Sequence, residues 1–133
     1  WEKKIEPKIF KTFNKKNIKR VTKFKYNLSV LKKKNKTVIG YGAPARVSTI
    51  TNFANIDSNF INFIIDDSPL KQNRYSPGKH IKILPKKNNI NYKIENVIVF
   101  AYEYFEEIKK NFKKLNVFFF KPIPFRKIKW VFY

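Results

Sequence analysis

A glycine turn between a β-branched run and a run of Ser and Thr is the part of this sequence with the residue types of a ligand site. In "KTVIGYGAPARVSTITN", Gly40 and Gly42 are followed by Ala45, which matches the pattern G-x-G-x-x-A. Glycine lets a phosphate approach the backbone without meeting a Cβ atom, and the N–H groups of a following helix favour an anion. Asp66 ends the next apolar run, where a dinucleotide-binding fold places the acid that holds ribose hydroxyls. The pattern predicts an anion site.

Each of these features also has an explanation that needs no ligand. A two-glycine turn often serves close packing between a strand and the next helix. Asp66 and Asp67 could cap a loop together with Ser68. Ser48 and Thr49 could face either a ligand or solvent. The residues alone leave both interpretations open.

The composition indicates one packed domain. The chain has 133 residues, of which 43% are hydrophobic and 17% aromatic, enough for a single modest core. No apolar run approaches the roughly 18 residues of a membrane span, and no signal peptide is visible, so we expect a cytoplasmic protein with no membrane partner. The absence of cysteine excludes disulfides, a thiol nucleophile and a thiolate zinc site. Because "WEKKIEPKIF" lacks an initiator Met, we expect a fragment of a longer protein.

The formal net charge of +21, from 30 basic against 9 acidic residues, raises nucleic acid as a partner. Lys, Asn, Ile, Phe and Tyr are all abundant, however, and this bias is typical of an AT-rich genome. The basic residues also occur along nearly the whole chain and form no single stripe. Nucleic-acid binding is therefore the less favoured interpretation.

Apolar periodicity predicts an α/β fold, namely a Rossmann-like three-layer domain with a mostly parallel sheet, preceded by an N-terminal helix. Residues 1–35 are expected to form the leading helix at the end of a linker, and residues 36–133 the Rossmann-like domain. The C-terminal "RKIKWVFY" could be a last edge strand or could pack on the first helix. The predicted helices cover residues 10–31, 44–55 and 103–115, and the predicted strands include 37–41, "FINFIIDDS", 81–84, "NVIVFA" and "NVFFFKPIP".

The two motifs together resemble a known family. "GYGAPARVSTITN" followed by "FIIDDSPLKQNRYSPGKHIKILP" resembles the C-terminal domain of the S-adenosylmethionine-dependent sugar C-methyltransferases. That family has a glycine turn, then a strand ending in D-x-S-P, then K-Q-G-x-Y-x-P-G-x-x-I-P-I. The chain departs from this pattern at Arg46, where Lys is usual, and at Val47 and Asn73, where Gly is usual. Val47 is expected to add bulk near the turn, whereas Asn73 tolerates a positive φ nearly as Gly does.

The resemblance implies a three-part enzyme. Its N-terminal part holds zinc with cysteines, its middle part binds S-adenosylmethionine (SAM) and supplies the catalytic base, and its C-terminal part closes over a nucleotide-linked sugar. This chain would be the C-terminal part, with the rest of the same protein as its partner. It would be inactive alone, with no catalytic or metal-binding residue and no cofactor of its own.

The resemblance also implies two sets of site residues. The residues expected to bind substrate are Tyr41, Gly42, Ala43, Pro44, Ala45, Arg46, Lys71 and Tyr75. The residues expected to shape the loops are Gly40, Asp66, Ser68, Gly78 and His80.

Other functions remain open at this point. The chain could be a docking module whose glycine turn is vestigial, with Trp1, Trp130 and Phe132 on its surface. It could also be a basic nucleic-acid-binding domain. A dinucleotide dehydrogenase is less favoured, because no acid or base accompanies the glycine turn.

Overall fold

A computed structural model describes residues 7–86 and 93–128, without the side chains of residues 7–11 and 13. A long helix precedes an alternation of strands and helices, as the apolar periodicity predicts. The helices are α1 (Pro7–Lys33), α2 (Ala45–Ala54) and α3 (Phe105–Lys110), with a 3₁₀ turn at Tyr102–Tyr104; the strands are β1 (Val38–Tyr41), β2 (Ile64–Ile65), β3 (Ile83–Leu84), β4 (Asn96–Val99), β5 (Phe118–Lys121) and β6 (Arg126–Lys127).

The described strands form one six-stranded sheet in the order β3-β2-β1-β4-β5-β6. All neighbouring strands are parallel except β5 and β6, which pair antiparallel. The chain moves outward from β1 to β2 and β3, then returns to place β4 on the other side of β1. The carboxyl ends of β1 and β4 therefore border the point where the direction of winding reverses, which is where open α/β sheets bind ligands.

The sheet is covered on both faces, so the domain has three layers. Alternate residues of β1 belong to different cores: Val38 packs with α1 and α2, whereas Ile39 packs on the face covered by α3. The same alternation separates Ile64 from Ile65 in β2. Because successive side chains are buried on opposite faces of the sheet, apolar residues are favoured at every position in these strands, and the strands form continuous apolar runs in the sequence.

Helix α1 is part of the core of the sheet domain. Phe24 and Leu28 are fully buried and belong to the same cluster as Val38 of β1 and Val47 of α2. The Phe24 ring also lies 5.7 Å from the ring of Phe125, just before β6. The leading helix and the Rossmann-like domain thus share one hydrophobic cluster.

Several predicted elements are shorter than expected. Ile61 and Phe60 donate backbone N–H groups to the Asp57 carbonyl, so this part of "FINFIIDDS" is a turn, and the strand is confined to Ile64–Ile65. Pro44 does not begin α2 but caps it, with its carbonyl accepting the N–H of Val47 at 2.9 Å.

The third helix also ends early. After Lys110 the backbone forms i→i+3 bonds, such as Phe112 N–H to the Lys109 carbonyl, and these tighten the chain into turns. Leu115, the last residue of the predicted third helix, therefore lies beyond α3 and is 49% exposed. Two apolar residues of the other helices, Ile18 of α1 and Phe53 of α2, are 52% and 65% exposed.

Of the C-terminal "RKIKWVFY", Arg126–Lys127 form the edge strand β6. Trp1, Trp130 and Phe132, the residues of the docking hypothesis, lie outside the described residues. Within the described ranges, the helices are either too short or too polar to cross a membrane.

Truncating Phe24 tests whether α1 is integral to the fold. Phe24→Ala should lower the free energy of unfolding by about 3–5 kcal/mol, because it leaves a cavity in the core. Ile18→Ala, on the exposed side of the same helix, should change it by less than about 0.5 kcal/mol. Urea denaturation followed by circular dichroism measures both. Equal effects would mean that α1 does not pack on the sheet.

Candidate functional site

A cleft with a volume of about 580 Å³ lies at the carboxyl ends of β1, β2 and β4. One wall is the glycine turn after β1, and the opposite wall is the segment from Ala101 through α3. The floor and rim carry polar side chains from the loops after β2 and β3. The polar residues lining the cleft are Tyr41, Asp66, Asp67, Lys71, Lys86, Tyr104, Glu107 and Asn111.

The glycine turn brings these two walls together. Gly42 has φ of +81°, and a Cβ at this position would lie 2.4 Å from the Cβ of Ala101. A side chain would therefore be both strained and in collision with the opposite wall. The N–H of Gly42 donates to the Ile65 carbonyl at 2.7 Å, which joins the turn to the end of β2.

The Asp66 side chain is hydrogen-bonded to the glycine turn. Its Oδ2 accepts the N–H of Ala43 at 2.6 Å, and its Oδ1 accepts the N–H of Ser68 at 2.9 Å. Lys71 Nζ lies 3.6 Å from the same Oδ2. Of the N–H groups in the turn itself, those of Gly42 and Ala43 already have acceptors within the chain, and Pro44 has none to offer. The Asp66 carboxylate thus occupies the Ala43 N–H that the pattern would offer to an external anion.

The two sequence motifs also meet at a second point. Asn52, near the end of α2, donates from Nδ2 to the Pro77 carbonyl at 3.0 Å. Gly78 has φ of +84° beside this amide, and a Cβ there would collide with the Asn52 side chain. Asn73, where the family pattern has Gly, has φ of 61°, a left-handed conformation that Asn tolerates.

A hydrogen-bonded chain of four side chains crosses the cleft. Lys86 Nζ donates to Asn111 Oδ1 at 2.7 Å, and Asn111 Nδ2 donates to the Tyr41 hydroxyl at 2.7 Å. The Tyr41 hydroxyl in turn lies 3.0 Å from both carboxylate oxygens of Asp67, to which it donates. Tyr41 is only 2% exposed, so its hydroxyl anchors a buried strand to polar groups at the rim. The network holds the Asp67 carboxylate in a defined orientation at the cleft.

The environment of Tyr41 strongly favours the neutral phenol. Burial raises the pKa of Tyr41 far above its usual value, and the hydrogen bond and negative charge of Asp67 raise it further. The hydrogen bond donated by Asn111 acts in the opposite direction and lowers the pKa. Tyr41 therefore serves as a hydrogen-bond donor and acceptor at physiological pH.

The cleft includes some of the predicted site residues and not others. Tyr41, Gly42, Ala43, Pro44 and Lys71 line it, together with the predicted loop residue Asp66. The remaining predicted residues are not among its lining residues; these are Gly40, Ala45, Arg46, Ser68, Tyr75, Gly78 and His80. His80 is exposed at φ of 51°, with its N–H bonded to the Ser76 carbonyl at 3.1 Å.

Two of the departures from the family pattern, Arg46 and Val47, point away from the cleft. Arg46 forms an ion pair with Glu103, and its guanidinium lies 4.6 Å from the centre of the Tyr102 ring. Val47 is 1% exposed and packs in the core with α1, so it adds no bulk to the ligand side of the turn. The expected crowding at Val47 is thus not observed.

Sequence reasoning did not select Lys86, Tyr104, Glu107 or Asn111, and treated Asp67 only as a candidate loop cap. These residues come from three separate segments that only the folded sheet brings together. Asp67 carried a usable signal, because it directly follows Asp66 at the carboxyl end of a buried strand. Asn111 carried no such signal in the sequence, because it falls inside the helix predicted at residues 103–115, whereas in the structure it caps the end of α3.

The cleft is acidic within a basic chain. Three of the chain's 9 acidic residues, Asp66, Asp67 and Glu107, line it beside Lys71 and Lys86. In the described parts of the chain, no three His, Cys, Asp or Glu residues are arranged to hold a metal ion. Carboxylates, an amide and a phenol that converge in this way suit a ligand rich in hydroxyl groups.

Comparison with known proteins identifies the family. Residues 2–124 match the family described as C-methyltransferase C-terminal domain. The chain belongs to this family. It is also 32% identical over 92 residues to the C-methyltransferase NovU from Streptomyces niveus. That match covers 67% of this chain but 22% of the relative, so the chain spans a minor part of the length of the curated C-methyltransferase.

Removing the Tyr41 hydroxyl tests the network. Tyr41→Phe should lower the free energy of unfolding by about 1–3 kcal/mol, because Asp67 and Asn111 each lose a partner. Tyr75→Phe is the matched control: Tyr75 is 56% exposed, and its variant should stay within about 0.5 kcal/mol of the wild type. Urea denaturation at pH 7 measures both. Identical stabilities would contradict the network.

The raised pKa of Tyr41 predicts a loss of stability at alkaline pH. The unfolded phenol ionises near pH 10 and the folded one only at higher pH, so stability declines as pH rises above about 10. Relative to Tyr41→Phe, the wild type should lose about 1.4 kcal/mol per pH unit in that range and nothing between pH 7 and 9. Denaturation of both proteins from pH 7 to 11 measures this difference. A constant difference throughout would rule out a raised pKa.

Proposed function

We propose that this chain is the substrate-side C-terminal domain of a SAM-dependent C-methyltransferase that acts on a nucleotide-linked sugar. The domain encloses the sugar and positions it, and it does not catalyse the reaction alone. The observation that carries this proposal is the cleft at the carboxyl ends of β1 and β4, built from the motif residues Tyr41, Gly42, Ala43, Pro44 and Lys71.

The chemistry of the cleft supports a sugar as the bound group. The Asp67 carboxylate is held by Tyr41 and reaches the rim, where it can accept hydrogen bonds from sugar hydroxyls. Asn111 and Lys86 complete the same network, and a shift of one partner would disturb all of them. The cleft thus offers oriented hydrogen-bonding groups together with the apolar surface of Ala101 and Ile108. This combination is typical of sites that orient a polar small molecule.

In the proposed reaction, a proton is removed from the carbon next to a ketone of the sugar, and the resulting enolate takes up a methyl group. SAM supplies that methyl group when it is bound by the rest of the enzyme. The residues of this chain hold the sugar in one orientation, which lowers the barrier by reducing the entropy lost in the reaction. Zinc and its cysteines are also assigned to the rest of the enzyme, because this chain contains no cysteine. We place the whole protein in the cytoplasm.

The rest of the same polypeptide is the proposed partner, and an apolar groove between α1 and α2 favours a docking role beside substrate binding. Ile18, Tyr26 and Phe53 line this groove and are 52%, 68% and 65% exposed. Apolar side chains that remain exposed together on one face often mark an interface. Docking without ligand binding is the second candidate function.

A ligand titration distinguishes these two functions. Titrating the 133-residue chain with UDP-glucose and dTDP-glucose should shift the backbone amides of the glycine turn and of residues 66–71 in NMR spectra. Asp67→Asn should weaken binding by about tenfold, because it removes a charged acceptor. Asp57→Asn, which changes an acid outside the cleft, is the control.

If neither sugar nucleotide shifts these amides at millimolar concentration, the cleft is not a substrate site and the docking function is favoured. Equal weakening by Asp57→Asn and Asp67→Asn would show that the effect is general electrostatics. Both results would count against the proposed function.

A further inference from the structure

A second groove lies beside the sheet edge formed by β5 and β6, and its polar lining is cationic. It has a volume of about 500 Å³ and is lined by Tyr102, Phe105, Lys121, Arg126, Lys127 and Ile128. None of these residues lines the acidic cleft. The two sites lie on different sides of the 3₁₀ turn and the start of α3, since Ala101, Tyr104 and Ile108 face the cleft whereas Tyr102 and Phe105 face the groove.

Two cations converge on the Tyr102 ring here. Lys121 Nζ lies 4.0 Å and the Arg46 guanidinium carbon 4.6 Å from the centre of that ring. Lys127 follows Arg126 in β6 and so faces the other side of the sheet, where its Nζ lies 3.8 Å from the centre of the Phe118 ring. Arg46 has an acidic partner in Glu103, but in the described part of the chain Lys121, Arg126 and Lys127 form no ion pair with a carboxylate. The groove thus holds more positive than negative charge.

The strand register adds a second, independent observation. Lys121 of β5 and Arg126 of β6 are directly opposite each other in the antiparallel pair. Like charges at such positions repel and destabilise a sheet. An anion bound between these two cations would remove the repulsion.

Charged residues on an edge strand also prevent edge-to-edge aggregation, and that role needs no ligand. It accounts for Arg126 and Lys127 on β6. It does not account for Lys121, which is on the inner strand β5, or for Arg46 of α2, which reaches the same ring. The convergence of cations from three elements is typical of an anion site.

We propose that this groove binds a diphosphate anion, either free pyrophosphate or the diphosphate of a nucleotide. Lys121 and Arg126 would contact the phosphate oxygens, and Tyr102 would hold Lys121 and Arg46 in place beside them. A diphosphate carries enough charge to neutralise both Lys121 and Arg126. This inference does not rest on the sugar cleft, and it assigns the diphosphate to a site separate from the glycine turn.

An amide-shift titration of the full chain in 0.15 M NaCl tests the proposal, with sodium pyrophosphate in one arm and UDP in the other. Pyrophosphate should shift the amides of Tyr102, Phe105, Lys121, Arg126 and Lys127 in a saturable manner. Equal affinity for UDP would identify free diphosphate as the recognised group. Tighter binding of UDP, with the same amides shifted, would identify the nucleotide as its source.

Matched double variants test the location. Lys121→Gln with Arg126→Gln should weaken pyrophosphate binding by about tenfold or more, because two charged donors are lost. Arg74→Gln with Lys82→Gln removes the same charges beside β3, at the opposite edge of the sheet, and should leave the affinity within twofold. The wild-type shift map does not depend on the variants, so it tests the proposal even if one of them fails to fold.

Five results would overturn the proposal. Four of them are equal weakening in both double variants, shifts spread evenly over lysines on all faces, shifts concentrated at Gly42, Ala43 and Asp67, and no saturable binding. A response to the oligonucleotide (dT)8 that greatly exceeds the pyrophosphate response would also overturn it, since it would indicate a general nucleic-acid surface.

Discussion

The hydrogen bond from the Ala43 N–H to the Asp66 carboxylate is the contact on which the shape of the cleft depends. It joins the turn after β1 to the loop after β2, and the other Asp66 oxygen holds the N–H of Ser68. The carboxylate is 7% exposed and has Lys71 nearby, so its charge is partly compensated. Without this contact, the Ala43 N–H and the Asp66 carboxylate would each need another hydrogen-bond partner.

Tyr41 links this loop structure to the core. Its ring packs edge-on against Phe112 at 5.8 Å between centroids, while its hydroxyl contacts Asp67 and Asn111. One residue at the end of β1 thus belongs both to the hydrophobic cluster on the α3 face and to the polar network of the cleft. Polar networks that are fully bonded at the edge of a core hold their members in single conformations.

Much of the fold could be predicted from the sequence because apolar periodicity reports burial on two faces. The order of helices and strands, the mostly parallel sheet and the leading helix were all predicted correctly. The ends of the elements were less predictable, because local hydrogen bonds decide them. Hydrogen bonds to the Asp57 carbonyl form a turn at "FIN", which therefore is not part of the second strand. Likewise, i→i+3 hydrogen bonds follow Lys110 and end α3 there. The position of Val47 in the core likewise follows from packing against α1.

The candidate site was predictable only where its residues are contiguous in the sequence. The glycine turn and Asp66 carry local signals, because a positive φ and a loop-capping acid each restrict residue type. Arg46 shows the limit of such signals. Its position after the turn suggests a phosphate contact. Instead, the Arg46 side chain bonds to Glu103 and stacks on the Tyr102 ring, and both of these residues are more than fifty positions away in sequence.

The concentration of three carboxylates in the cleft of a chain of charge +21 has a kinetic consequence. At low ionic strength the field of the whole chain extends over tens of ångströms and accelerates the approach of any anion, whereas the local field inside the cleft opposes it. We expect an anionic ligand to be captured rapidly at the surface and then to enter the cleft with its uncharged part first. The orientation of the bound molecule would thus be selected during approach, before any specific hydrogen bond forms.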